Sequence, residues 1–370
     1  MNNMIYPPKG AGLESLVTEK VSCWERLKAE KRPIFIYGMG DGAVKIMSVF
    51  RQYGITVAGV FASDEFVRGH SFAGFKVHKL SEIEEAVDDF VIVLAFAAGY
   101  PTLVKYIRQL SHKHMLYAPD VPVIGGGLFT YDYFLEHLQE FNAVYRMLAD
   151  DESRRVYLNI IQYKISGKIS YLETISESPE KIFRTILRPS RNETFVDLGA
   201  YTGDTIRELL SYTNQKYYLI HAVEPDKKSF KKLTRYIEGN NMKQIHAHQS
   251  VSWCKDTELP FSSKAGRQSA LSPEGETTPA VSVDSLMKGQ PLTLLKMDVE
   301  GFEREALWGA AGTIRNYTPK LSVAIYHRNQ DIFELPLLVT KLNPNYQVYI
   351  RHRLYIPAWD LNLYAIPKNN

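Results

Sequence analysis

The chain has 370 residues, 45% of them hydrophobic and 23% charged, with 44 Lys and Arg against 41 Asp and Glu for a formal net charge of +3. That balance holds enough apolar surface for two globular domains, and it excludes wholesale disorder, a collagen-like chain and a nucleic-acid binder working through a strongly basic face. Only two cysteines, Cys23 and Cys254, lie far apart in sequence, which excludes a CxxC redox pair, a thiolate zinc site and a disulfide framework.

The first 30 residues have neither a basic start nor an apolar middle, so no signal peptide is expected, and residues 1–30 read as a helical extension. The longest apolar run covers residues 90–98, short of the roughly 20 residues a membrane-crossing helix needs. A cytoplasmic protein without a membrane span is the expectation. From residue 31 to 127 the pattern is β-α-β: strands over 34–37, 57–61 and 90–96, and helices over 44–53, with Val44, Ile46 and Met47 inward, and over 103–110. The turn Gly38-Met39-Gly40-Asp41-Gly42-Ala43 fits G-x-G-x-x-A between strand and helix, and Asp64 follows about 20 residues later. Gly38, Gly40 and Asp64 therefore form a candidate second site for a nucleotide or sugar nucleotide. Asp64 falls beyond the expected strand end, however, and residues 68–75 read as a loop able to cover or fill the crevice; a structural or substrate-presenting role stands beside the binding one.

Residues 128–190 lose the strand signal and place apolar side chains at helical spacing, giving a helical bridge in which Tyr163 and Tyr171 are either core or a lid. From 191 to 370 strand and helix alternate again, with strands expected over 195–198, 217–223, 244–248, 292–297, 321–326, 346–350 and 362–366. Seven strands suit one doubly wound α/β sheet. Residues 262–279, rich in Ser, Gly, Pro and Thr, read as an irregular excursion.

The strongest motif is Phe195-Val196-Asp197-Leu198-Gly199-Ala200-Tyr201-Thr202-Gly203-Asp204-Thr205, a strand ending in an acid and a D-x-G-x-x-x-G turn before a helix. Its spacing lacks the G-x-G-x-x-G that a pyrophosphate wants and suits a cofactor with a cationic amino-acid end. Glu224, before Pro225, follows Gly203 by about 20 residues, where an acid accepts hydrogen bonds from ribose hydroxyls. Asp298, Glu300 and His327 fall at or just beyond two further strand ends, so they should converge beside the cofactor. His327 has an ordinary pKa suited to a general base, and Asp298 could orient the acceptor or act as base itself. The same three side chains could hold a divalent metal, although no tight ligand motif accompanies them. The bland alternative is that Asp298 and Glu300 offset a helix dipole while His327 is a bonded strand end.

These segments resemble the FkbM family of S-adenosylmethionine-dependent methyltransferases, through FVDLGAYTGDT, AVEPDKKSFKKL, VSVDSL, LLKMDVEGFEREALWGA and PKLSVAIYH, from about Asp151 to the C-terminus. The resemblance implies a class I methyltransferase sheet preceded by a Rossmann-like domain, and O-methylation of a saccharide or other hydroxylated small molecule. It implies S-adenosylmethionine as cofactor, leaving as S-adenosylhomocysteine, with Asp197, Gly199, Ala200, Tyr201, Thr202, Gly203, Asp204 and Thr205 around its methionine side. Glu224 and Pro225 would meet the ribose, and Ser250 and Val251 the adenine. Two other readings stand beside this one: an oxidoreductase using a dinucleotide or nucleotide sugar at Gly38 to Asp64, and a protein that binds a nucleotide without turnover.

Other polar clusters read as structural. Lys227, Lys228, Lys231, Lys232 and Arg235 recur at helical spacing as a solvated face, and Lys296 reads as structural. His246 and His248 share one face of a strand with no third ligand in reach by sequence. Arg351, His352 and Arg353 read as a solvated strand end, with contact to an anionic acceptor as the other reading.

Overall fold

The computed structural model describes residues 6–7, 11–67, 69–262, 270–271 and 275–368. A first sheet contains β1 (Ile34–Tyr37), β2 (Gly59–Ala62), β3 (Ser71–Phe72), β4 (Phe75–Lys79), β5 (Val91–Leu94) and β6 (Met115–Tyr117), in the order β3-β4-β2-β1-β5-β6. All pairings are parallel except the β3–β4 hairpin. β1, β2 and β5 are buried along their whole length, as parallel strands covered on both faces must be, which is why their sequences run apolar without alternation. The hairpin replaces the loop expected from 68 to 75; Arg68 itself lies outside the described residues.

The helix after β1 spans Asp41–Tyr53, three residues earlier than expected. Its inward face is Ala43, Ile46, Met47, Val49 and Phe50, and this phase turns Val44 to solvent, 51% exposed. The glycines of the turn answer to the chain's own packing. A Cβ on Gly38 (φ +115) would come within 2.8 Å of the Phe96 ring, and one on Gly42 within 2.3 Å of the Ala95 carbonyl oxygen. Asp64 is exposed and opens a short 3-10 turn, Asp64–Phe66.

Helices Tyr131–Glu136, Leu138–Met147 and Asp151–Ser166 form the bridge. Asp150 caps the last of these by accepting from the Ser153 amide. Tyr163 is fully buried and donates to the Ala118 carbonyl of the first domain, and the Tyr171 hydroxyl donates to Glu19 of the N-terminal extension, so both brace the packing of the bridge.

The second sheet has seven strands: β7 (Thr194–Leu198), β8 (Leu219–Val223), β9 (Ile245–His248), β14 (Leu294–Met297), β15 (Lys320–Ala324), β16 (Tyr346–His352) and β17 (Leu361–Pro367). Their order is β16-β17-β15-β14-β7-β8-β9, with β17 antiparallel to both its neighbours. Between β9 and β14 lies a separate four-stranded sheet, β10 (Val251–Ser252), β11 (Thr257–Ser262), β12 (Ala270–Leu271) and β13 (Glu276–Val281). Strands thus run into the stretch expected to be irregular, of which residues 263–269 and 272–274 lie outside the described residues.

One apolar core runs through the molecule: Phe35, Phe61 and Leu94 of the first sheet belong to the same cluster as Phe141 and Tyr157 of the bridge and Val196, Leu295 and Val323 of the second sheet. No helix among the described residues is long and apolar enough to cross a membrane.

Candidate active site

At the carboxyl edge of the second sheet, β7 and β14 run side by side with Asp197 opposite Lys296. A cleft of about 650 Å³ opens there. Gly199, at the first turn after β7, has φ +76, and a Cβ on it would lie 1.9 Å from the Asp298 carbonyl oxygen, so only glycine lets the two strand ends approach this closely. Tyr201, Asp204 and Thr205 line the cleft, as do Glu224 and Pro225 at the end of β8 and Val251 at the start of β10. Ala200 is fully buried, and Thr202, Gly203 and Ser250 do not line the cleft; Ser250 turns its amide back to the His248 carbonyl. Ser252, Phe261 and Phe302 line the cleft together with Val251, whereas Ser250, which the resemblance implied beside Val251, does not.

Asp197 has no solvent exposure and neither carboxylate oxygen makes a directed hydrogen bond; the Lys296 ammonium stands 3.2 Å from Oδ1 as its counter-ion. Burial pushes the Asp197 carboxyl up to about 6, Lys296 opposing the rise, and the same pair holds Lys296 charged. Lys296 also donates to the Gly199 carbonyl at 2.9 Å and lines the cleft. Besides the structural role read in the sequence, it forms part of the cleft floor. Glu224 is clamped from behind: Tyr201 N donates to Oε2 at 2.8 Å and Asp226 N to Oε1 at 2.9 Å. Each oxygen keeps a lone pair, and burial pushes this carboxyl up to about 7 against the opposing backbone donors.

At the other end Asp298 and Glu300 line the cleft, and the Tyr326 hydroxyl donates to Asp298 Oδ1 at 3.3 Å. His327 does converge with them, but from beneath. It is fully buried, with Nε2 3.4 Å from Asp298 and 3.5 Å from Glu300, while Nδ1 lies 3.0 Å from Glu303 Oε1. Glu303 is itself buried and accepts from the Val299 amide. Burial disfavours the imidazolium, but the surrounding carboxylates, Glu303 first, more than offset it and push His327 up to about 10. Sequence spacing missed Glu303, which completes a set with Asp298 and His327 whose ligand atoms all lie within 4.8 Å of one another and could hold a metal ion. The signal was available: Glu303 opens the helix that follows this strand end.

The β16–β17 connection supplies the outer wall with Arg353, Tyr355, Trp359 and Asp360. Because β17 runs antiparallel, this connection arrives at the same edge as the parallel strand ends. Arg353 pairs with Glu208 in the cleft, whereas Arg351 is buried between Asp150 and Glu177 and His352 is fully buried, so none of the three is a solvated strand end. Three non-glycine cleft residues, Tyr201 (φ 47), Glu300 (φ 54) and Asp360 (φ 61), hold left-handed backbone. Such conformations cost of order 1 kcal/mol each and concentrate where side chains are aimed for function.

Residues 197–355 match the family model described as the methyltransferase FkbM domain. No curated protein sequence matches. Among solved structures, the fold is similar to methyltransferase FkbM from Methylobacillus flagellatus, with TM-score 0.73 and 19% identity, covering 96% of this chain and 97% of that one. An rRNA methylase from Streptococcus thermophilus aligns over 52% of this chain and 97% of its own, at 11% identity and TM-score 0.36. By the family-model match and the fold, residues 197–355 form a methyltransferase domain similar to that of the FkbM family.

Proposed function

We propose that the enzyme is an S-adenosylmethionine-dependent O-methyltransferase acting on a hydroxyl of a saccharide or another small metabolite. The observation that carries this reading is the charge of the cleft. Among the described residues, Asp204, Glu208, Glu224, Asp226, Asp298, Glu300 and Asp360 line it against only Lys296 and Arg353. Seven carboxylates and two cations suit a ligand bearing an ammonium and a sulfonium and repel one bearing a pyrophosphate.

The residues present fit the cofactor. The free lone pairs of Glu224 face the cleft to accept from two ribose hydroxyls, Asp204 at the first turn of its helix offers a carboxylate to an ammonium, and Val251, Phe261 and Phe302 form an apolar slot for a base. When bound, the cofactor supplies an electrophilic methyl group. The protein's task is then to hold the acceptor oxygen in line and take its proton. Asp298 is the group for that proton, since its carboxylate opens onto the cleft. His327 serves as a positioning residue: a buried imidazolium anchored on Glu303 that fixes Asp298 and Glu300. The rings of Tyr355 and Trp359, 6.2 Å apart with planes 23° from parallel, give a flat apolar wall that suits the face of a sugar ring.

Calorimetric titration with S-adenosylhomocysteine tests the reading. Binding should weaken about tenfold or more in Glu224→Ala and Asp197→Ala, from the loss of charge-assisted hydrogen bonds or of the Lys296 counter-ion. Binding of NADH or a sugar nucleotide instead, lost in Gly38→Val, would move the active centre to the first domain. Transfer unchanged by a chelator would leave Asp298, Glu303 and His327 as a metal-free cluster.

A further inference from the structure

His246 and His248 lacked a third partner by sequence, and the fold brings one. In the parallel register His221 of β8 stands opposite His246, and Val223 stands opposite His248. Ile220, Ala222, Ile245 and Ala247, the alternate residues of both strands, belong to one apolar cluster, so the three imidazoles share the other face of the sheet. The His221 ring is centred 5.5 Å from that of His246 and 5.2 Å from that of His248, with planes within 30° of each other. His221 Nδ1 and His248 Nε2 are 3.0 Å apart, while His246 is exposed and has no hydrogen bond among the described residues. None of the three lines the cleft.

We propose that His221, His246 and His248 form a binding site for a divalent transition ion of the zinc class, apart from the active site, with water completing its coordination. Three imidazoles from positions i, i+2 and the cross-strand neighbour offer borderline nitrogen ligands, which favour zinc and its first-row neighbours over the oxygen-seeking magnesium and calcium. Nitrogens about 2.0–2.1 Å from one ion at tetrahedral angles stand about 3.4 Å apart. The His221–His248 pair therefore opens by only a few tenths of an ångström, and the exposed His246 ring swings in by side-chain rotation. Ligation needs neutral rings. A purely structural role for the pair uses one hydrogen bond and leaves His246 idle. The Glu224 amide donates to the His248 carbonyl, so an ion here ties the strand that leads into Glu224 to its neighbour.

The test is calorimetric titration of the full chain, first dialysed against chelator, with zinc chloride at about pH 7.5, where unpaired imidazoles are neutral. One ion per chain is expected, with affinity reduced at least about tenfold in His246→Ala and kept in Asp298→Asn. Cobalt chloride should give the intense visible band of a tetrahedral ion in the wild type and not in His246→Ala. His246 is exposed, so that variant keeps its fold; His221→Gln, checked by circular dichroism, gives an independent second loss. Zinc binding that survives His246→Ala, that disappears in Asp298→Asn, or that is absent from the wild type would overturn the proposal.

Discussion

Among single residues, His327 shows how far a side chain's role depends on what surrounds it. Its position after a strand end and its convergence with Asp298 and Glu300 were legible, but Glu303 was not, because Glu303 reaches it from the start of the helix that follows β14 rather than through sequence proximity. A histidine pushed up to about 10 is cationic across the neutral range. The profile of methyl transfer against pH should therefore lack an acidic limb at the ordinary histidine value, about 6.5. Single-turnover rates of wild type and His327→Gln check this, and a limb near 6.5 present only in the wild type would restore His327 as the base. Glu224 yields the opposite dependence. Its carboxyl is pushed up to about 7 in the free protein, and ribose hydroxyls donate to the carboxylate form. Affinity for S-adenosylhomocysteine should thus fall as pH drops below about 7, by up to about tenfold per pH unit, and flatten in Glu224→Gln. The folded-state pKa lies above the unfolded one, so the same group costs stability as pH rises from about 4.5 to about 7 in the free protein.

At the scale of elements, the seven strands of the second sheet were readable because each is a short apolar run bounded by turn signals. The small sheet was not. Pro260 sits within β11 and Pro279 within β13, where proline ordinarily argues against a strand; here they pair opposite Thr277 and Glu258 in a small peripheral sheet. The β16–β17 connection was missed for another reason: its contribution follows from strand direction, which the apolar pattern does not encode. Two substitutions test these elements. Gly199→Ala forces a Cβ into the Asp298 carbonyl at a left-handed position, and it should lower the melting temperature and abolish S-adenosylhomocysteine binding together. Trp359→Ala removes part of the outer wall, and it should raise KM for the acceptor while leaving S-adenosylhomocysteine affinity as it was. A loss of cofactor affinity of equal size would place Trp359 at the cofactor instead.

For the whole molecule, two domains were read in sequence but not their shared core. Hydrophobic pattern tells which face of an element is buried, and it does not tell against what. In the structure the Ile124 amide, in the segment leaving the first domain, donates to the carbonyl of His327, and Ala98 forms a β-bridge with Ile356 in the β16–β17 connection. The bridge is tied at both ends. Lys164 is buried against Asp120 on one side, and Arg351 against Asp150 and Glu177 on the other. Cutting the chain at the domain boundary would therefore divide the core that the first domain shares with the bridge and the second sheet, and leave Lys164 without its counter-ion. Uncovering several buried apolar side chains costs about 1.5–3 kcal/mol each, which together rivals the whole stability of an ordinary domain. The full chain should unfold in one calorimetric transition, with van't Hoff and calorimetric enthalpies in agreement, and a fragment of residues 128–370 should bind hydrophobic dye and lose cooperativity. Two resolved transitions, the second surviving in that fragment, would instead make the first domain an accessory that the catalytic half can fold without.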